Sequence, residues 1–490
     1  MIDHPSKHDL VTAYERSCPR AAYESMMDDS PVDLALQARF TEGNVVDKLA
    51  QESIFSEGTT VKNVRTEEAS GVTSDLMTDL SIGRINQATV TTPNGETARL
   101  DSIERSDRSW NHDEVKSAGS AHQKYEFDAL ISTDRARRAG VEIDRVRLVH
   151  TNKDWRLGDP NSDLFTTVDI TDRIEDPQMV NFLSKVYESL EDGRVPSAVL
   201  VKGCKGCPYF SNCFGETDNP LTELSRLGDA RMAALSQIGA VDIRDIPEGF
   251  DLTNGQRTYI GFILNGQEQV NMDMLRERLG RIERPVRHLD FESVQFAVPM
   301  HVGVAPWRQV ATQYSIHVET DDGLLHLEHL SEVEGDGRRE LAERLIEDLG
   351  DDGGTIVAWG SGFEEARIGE MAEWFPDLAP QLISIRERML DLLSVVKATI
   401  RNPEFRNSYS LKVVAPVLVP GFGYSDLDIA GGGDAQGAMN LMMRGRKAAE
   451  VPVLRERLLR YCERDTEATV RILRALREKV ADYGGVGIHD

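Results

Sequence analysis

The sequence predicts a multidomain α/β protein, and three observations lead to that expectation. The chain has 490 residues, more than one hydrophobic core usually organises, so two or three domains are expected. Segments rich in β-branched residues, such as TVTTPNGETARLDSI and ATQYSIHVE, are interspersed with helical stretches, the pattern of an α/β chain. Three of the five cysteines, Cys204, Cys207 and Cys213, fall together in GCKGCPYFSNCFGE. They close a first region, residues 1–215; residues 216–284 look helical and small, and residues 285–490 return to α/β.

In the first region Asn94-Gly95 marks a hairpin turn between two β-rich runs. A looser turn in SDRSWNHD separates LDSIE from EVKS, a helix follows over Tyr125 to Ala139, and RVRLVH reads as a strand. The order is helix, three antiparallel strands, helix, strand. In the second region LSRLGDARMAALSQIGAVDIRDIPEGF holds two short helices joined around glycines, with Ile243 and Ile246 entering a turn. That stretch resembles a helix-hairpin-helix module, and a plain spacer reads equally well. The third region begins with RPVRHLDFE, continues through ATQYSIHVE and LLHLEHL as neighbouring strands, then alternates helices with the strand TIVAWG; GGGDAQG reads as a flexible loop.

Acidic residues outnumber Lys and Arg 82 to 56, a net charge of −26. Such a balance argues against coating nucleic acid by bulk electrostatics. It leaves room for a nuclease, because each charge is screened beyond roughly 8 Å at physiological salt and Arg clusters such as RARRAG and RERLGRIERPVR suit phosphate geometry. The start MIDHPSKHDL is polar and no apolar run is long enough to span a bilayer. The expectation is a cytoplasmic protein without a membrane partner, in a reducing compartment where clustered thiols bind metal rather than pair as disulfides.

C-x2-C-x5-C lets three thiolates converge on one centre and leaves a tetrahedral site one ligand short. Of the two remaining cysteines, Cys18 in ERSCPRAAY is the better fourth ligand, since it would join both ends of the first region; Cys462 lies near the other end of the chain. Zinc and an iron-sulfur cluster both accept four thiolates. One Cys in a CPR-type helix, an intervening core and then C-x2-C-x5-C resembles the RecB-type nucleases with an iron-sulfur staple, including their CRISPR-associated members. The resemblance implies a [4Fe-4S] cluster on Cys18, Cys204, Cys207 and Cys213 in preference to zinc, and a PD-(D/E)xK restriction-endonuclease-like fold. It also implies a catalytic triad between the staples: Asp101 in ARLDSIE, with Glu114 and Lys116 in DEVKS. Glu114 and Lys116 share a strand face at i and i+2. The two carboxylates would hold Mg²⁺ or Mn²⁺ while the Lys orients water or steadies charge. Glu42 in RFTEGNVVDKLA stands where relatives carry an acid or His that assists the metal. Where relatives often place a Gln, this chain has Ser132.

A second constellation follows. RHLDFESV puts Asp290 and Glu292 on one strand face, and in the helical YCERDTEATVRIL Tyr461 and Asp465 are neighbours at i and i+4. Together with SYSLKVVAPVL they resemble the DEDD exonucleases of ribonuclease-H-like fold, in the variety with Tyr in the last motif. The middle motif's acid falls on Glu364 in TIVAWGSGFEEARIGEMAE, with Glu365 or Asp391 as alternatives. Clustered carboxylates of this kind hold two divalent cations, and Tyr461 would orient water. His150, His288 and His317, in strand-like runs, read as structural.

The whole chain resembles a bacterial family that joins a RecB-type iron-sulfur nuclease, a helical module and a DEDD domain. The expected function is a metal-dependent nuclease with two active sites, the first acting on DNA single strands or ends and the second a 3′–5′ exonuclease, in repair, CRISPR-like processing or phage defence. The alternatives are a nucleic-acid-binding or scaffold protein with decayed sites, and an RNA-directed exonuclease. No G-x4-G-K-[ST] motif occurs, so any unwinding would need a helicase or a defence-system partner.

Overall fold

The computed structural model describes residues 4–62, 66–191, 195–429, 431–445 and 447–485. The chain divides into two compact units. The first comprises residues 1–31, 42–257 and 296–307, and the second residues 32–41, 258–295 and 308–490. Residues 216–284, expected as a separate module, are therefore shared between the two.

The first unit carries a six-stranded mixed sheet in chain order: β1 (Thr59–Thr60), β2 (Arg84–Thr91), β3 (Thr97–Ser106), β4 (Ser109–Lys116), β5 (Ile143–Thr151) and β6 (Phe165–Asp169). The turn at Asn94-Gly95 joins β2 to antiparallel β3, with Gly95 at φ 89° as a hairpin turn demands. A tighter turn pairs β3 with β4, and β4 runs parallel to β5 after the intervening helix Gln123–Arg138. Alternation along β4 and β5 assigns their faces. Val115 and Val149 pack with Val46, Ala50 and Trp155, whereas Val146 and Leu148 join Phe127 and Ile131 of the helix Gln123–Arg138. Glu114 and Lys116, out of phase with Val115, accordingly face that helix.

The second unit contains β7 (Gln269–Val270), β8 (Val286–Val294), β9 (Val310–Thr320), β10 (Gly323–Leu330), β11 (Ile356–Ala358), β12 (Met389–Asp391) and β13 (Ile400–Arg401). β7 and β13 form a small ladder; the others make one sheet ordered β10-β9-β8-β11-β12. The first three strands are antiparallel neighbours, and β11 is parallel to both β8 and β12. Leu289 and Phe291 pack with Leu341, Leu345, Ile368 and Leu382 on one face. The alternate residues His288, Asp290 and Glu292 turn to the other face, where His288 and Asp290 meet side chains of the helix Val451–Gly485.

GGGDAQG is not a loop: the helix Gly432–Met443 starts within it. Glycine is tolerated here because packing requires it. A Cβ on Gly437 would lie 2.6 Å from the Leu34 carbonyl carbon, so the close approach outweighs the residue's poor helix propensity.

An ion pair ties the sheet to the long helix. Arg477 Nη1 donates to both Glu319 oxygens at 2.7 and 3.1 Å, and His288 Nε2 lies 3.4 Å from Oε1. Burial alone would raise the Glu319 carboxyl, but His288 and Arg477 outweigh it and hold it at about 2. Since an unperturbed Glu titrates near about 4.3, this stabilisation is complete above that pH and is lost as pH falls toward 2. Urea unfolding should find Glu319→Gln less stable than wild type at pH 7, with the difference shrinking below about pH 4.

Candidate functional site

In the first unit, antiparallel pairing of Ser102 with Asp113 brings Asp101 beside Glu114. Asp101 Oδ2 accepts the Val115 N–H at 2.8 Å. Glu114, only 1 % exposed, receives Lys116 Nζ at 2.7 Å on Oε1, and His112 Nε2 lies 3.2 Å from Oε2. Burial would raise the Glu114 carboxyl, but Lys116, Lys7 and His112 together hold it well below the usual range. Asp101 moves the other way, to about 7, through burial and the charge on Glu114, with Asp47 adding to it. Two adjacent carboxyls thus differ in proton affinity.

Lys7 was not foreseen. It opens the helix Lys7–Arg16, and its Nζ reaches Glu114 Oε1 at 2.7 Å, Ser132 Oγ at 2.8 Å and Asp128 Oδ1 at 2.7 Å. Lys116 also pairs with Asp128. The ammonium of Lys7 is pushed down by burial, against the pull of Glu114 and with the repulsion of Lys116, while Lys116 is pulled above its ordinary value by Glu114 and Asp101 despite burial. Ser132 thus serves as an acceptor for Lys7. No local spacing announces Lys7, because it joins the site from 107 residues away in sequence.

Glu42 Oε2 accepts the Ala297 N–H at 2.7 Å. On the same helix, Leu34–Ser53, Asp47 is the acid whose charge Asp101 feels. Asp47 accepts from Gln87 and Gln51 at 3.0 Å, and burial raises its carboxyl. Five positions separate Glu42 from Asp47, which puts them on different helix faces.

Cys18, Cys204, Cys207 and Cys213 line one cavity, with Ala21, Val199 and Phe210 among its apolar walls. All are free thiols. Burial raises the Cys18, Cys204 and Cys213 thiols, the last to about 11, and each is pushed further by neighbouring thiols. The four side chains share that cavity, but among the described residues their sulfurs do not belong to the groups of three or more donor atoms lying within 4.8 Å of one another. The two ends of the set are held by backbone contact: Arg16 Nη1 donates to Gly203 O at 3.0 Å, and a Cβ on Gly203 would stand 2.0 Å from Arg16 O.

In the second unit, donor oxygens of Asp290, Glu292 and Asp465 lie within 4.8 Å of one another. Burial drives Asp290 and Glu292 well above the carboxylate range, and Asp465 and Glu364 push both further. Glu364 is raised to about 7 by burial, with Asp391 and Glu365 adding. Asp465 is raised to about 6 by burial, tempered by the phenols of Tyr424 and Tyr461 and by Lys412. Among the three candidates for the middle acid, Glu365 accepts from Ser361 Oγ at 2.6 Å and Asp391 accepts the Gly360 N–H at 2.9 Å. Glu364 is the one whose charge both Asp290 and Glu292 feel. Its Oε2, like Asp465 Oδ1, is buried without a hydrogen-bond partner, a costly state that a cation would relieve.

Three further residues border this cluster. Lys412 Nζ sits 4.7 Å from the Tyr461 ring centre and 5.4 Å from that of Tyr424. Cys462 Sγ lies 3.4 Å from Asp290 Oδ2. Lys412 falls inside SYSLKVVAPVL, so its stretch was legible; Tyr424 and Cys462 carry no motif. Of the histidines, His150 Nδ1 is 3.1 Å from Thr151 O and His288 Nδ1 is 2.9 Å from Thr469 Oγ1. His317 Nδ1 is 2.8 Å from Thr466 Oγ1.

Residues 287–410 match a family described as a domain of unknown function, DUF2779. The match includes Asp290, Glu292 and Glu364 and ends before Lys412, Tyr461 and Asp465. No curated protein matches the chain.

Gly203→Ala should separate the two ends of the cysteine set, at a cost of about 1–3 kcal/mol for overpacking. Iron and zinc analysis of anaerobically purified protein is expected to find less than half of the wild-type metal; a wild-type content would show that the backbone contact does not hold the set.

Proposed function

We propose that the chain is a metal-dependent nuclease with two active sites. The observation that carries this reading is the cluster of Asp290, Glu292 and Asp465, whose donor oxygens lie within 4.8 Å of one another, with Glu364 near enough for its charge to be felt by two of them. The strand order β10-β9-β8-β11-β12, antiparallel on one side and parallel on the other, supports a ribonuclease-H-like fold for the second unit. The order helix, three antiparallel strands, helix and a parallel strand supports a PD-(D/E)xK fold for the first.

At the second site Asp290, Glu292, Glu364 and Asp465 would hold Mg²⁺ or Mn²⁺, which would polarise a phosphodiester and stabilise the attacking and leaving oxygens. Tyr461 positions the attacking water by hydrogen bonding, and Lys412 provides positive charge beside the phosphate. The substrate is the 3′ end of a DNA strand, with RNA as the alternative. At the first site Asp101 and Glu114 are the metal-binding pair, and Lys116 steadies charge developing on the phosphate. Cys18, Cys204, Cys207 and Cys213 would hold a [4Fe-4S] cluster, with zinc as the alternative, acting as a staple rather than in the chemistry.

One observation favours a second reading for the first site. Lys7 and Lys116 both pair with Glu114 and Asp128, so internal cations already neutralise carboxylates that a metal would need. On that reading the first unit binds strands and the second cuts them.

End-labelled single-stranded DNA, duplex DNA and RNA, incubated with Mn²⁺ or Mg²⁺, separate these readings. Asp290→Asn is expected to remove the 3′–5′ ladder, a loss of at least about 100-fold given what even outer-shell ligand changes cost. Lys116→Ala is expected to remove a different set of products. If Lys116→Ala leaves every product intact, the first unit is a binding domain; if wild type cuts nothing with either metal, the nuclease proposal fails.

A further inference from the structure

A second group of metal-ligand side chains in the second unit shares no residue with the carboxylate cluster. His317 on β9 and His326 on β10 are paired across the ladder, their rings stacked with centroids 4.6 Å apart. Glu463, on the helix Val451–Gly485, brings Oε1 to 3.7 Å from His326 Nδ1. One donor atom from each of the three lies within 4.8 Å of the others. We propose that His317, His326 and Glu463 bind one divalent transition-metal ion of the zinc class, through two imidazoles and a carboxylate, with the remaining tetrahedral position left to water.

The hydrogen bonds around the rings support this. His326 Nε2 is 3.0 Å from Ser315 Oγ, Ser315 Oγ is 2.8 Å from Thr466 Oγ1, and Thr466 Oγ1 is 2.8 Å from His317 Nδ1 and 3.0 Å from Glu463 O. Let His326 Nε2–H donate to Ser315, Ser315 to Thr466, His317 Nδ1–H to Thr466, and Thr466 to Glu463 O. Every hydroxyl is then satisfied, and His317 Nε2 and His326 Nδ1 keep their lone pairs. Orienting metal-binding imidazoles through the opposite nitrogen is what outer-shell groups do.

Access and charge fit as well. His317 is buried, but the His326 and Glu463 side chains are 24 % and 46 % exposed, which gives an ion a way in. Glu463 also borders a surface cavity lined by Glu328, Arg455, Glu456 and Arg460. Two imidazoles with one carboxylate suit zinc, whereas the all-oxygen cluster of Asp290, Glu292 and Asp465 suits magnesium or manganese. The two groups are therefore expected to differ in metal preference.

Zinc titration of the full-length protein against a competing chelator, in excess Mg²⁺ to fill the all-oxygen site, tests the assignment. Wild type is expected to hold one zinc equivalent that His326→Ala and Glu463→Gln each weaken at least tenfold and Asp290→Asn leaves in place. Cobalt in the same site should show ligand-field bands without thiolate charge transfer, separating it from the cysteines. Circular dichroism confirms that each variant is folded, and Glu463→Gln, an isosteric change at a half-exposed position, serves if His326→Ala is not. Unchanged zinc affinity in the folded variants, loss of the equivalent in Asp290→Asn, or a wild type that binds no such zinc would overturn the proposal.

Discussion

Mutual repulsion among partly buried carboxylates is the constraint around which the second unit is built. Asp290, Glu292 and Asp465 share a site in which burial raises the proton affinity of each, and the charges of Asp465 and Glu364 raise that of Asp290 and Glu292 further. Taking several acids out of water without matching cations costs far more than the typical net stability of a domain can spare. The rest of the unit offsets that cost. Leu289 and Phe291 anchor the same strand from its opposite face, and Arg477 with Glu319 locks the long helix to the sheet. Lys412, Tyr424 and Tyr461 soften the charge on Asp465 without cancelling it.

The first unit handles its acids differently. Glu114 and Asp128 are met by two lysines, and Asp101 is left as the carboxyl with the raised proton affinity. A site neutralised from within is stable as it stands, whereas a site of unrelieved carboxylates needs a ligand.

Much of this was legible because strands and helices have short periods. Asp290 with Glu292, Glu114 with Lys116, and Tyr461 with Asp465 are neighbours at i+2 or i+4, so each pair could be placed on one face before any tertiary contact was known. The cysteines were legible from C-x2-C-x5-C, and the turn at Asn94-Gly95 from its residues. What stayed hidden depends on long-range approach. Lys7 reaches Glu114 across the first unit, Glu42 accepts from the Ala297 N–H, Asp101 feels the charge of Asp47, and His317 with His326 becomes a pair only through strand register. The glycines of GGGDAQG read as a loop because helix propensity is local, whereas the contact of Gly437 with Leu34 is not.

The acidic cluster of the proposed second site should be strained until a cation joins it. Thermal unfolding of wild type and Asp290→Asn at pH 8, each in EDTA and in Mn²⁺, tests this most directly. In EDTA the variant should melt no lower than wild type, since it removes one of the repelling charges, and Mn²⁺ should raise the melting temperature of wild type much more than that of the variant. A variant that melts well below wild type in EDTA, together with equal responses to Mn²⁺, would contradict it.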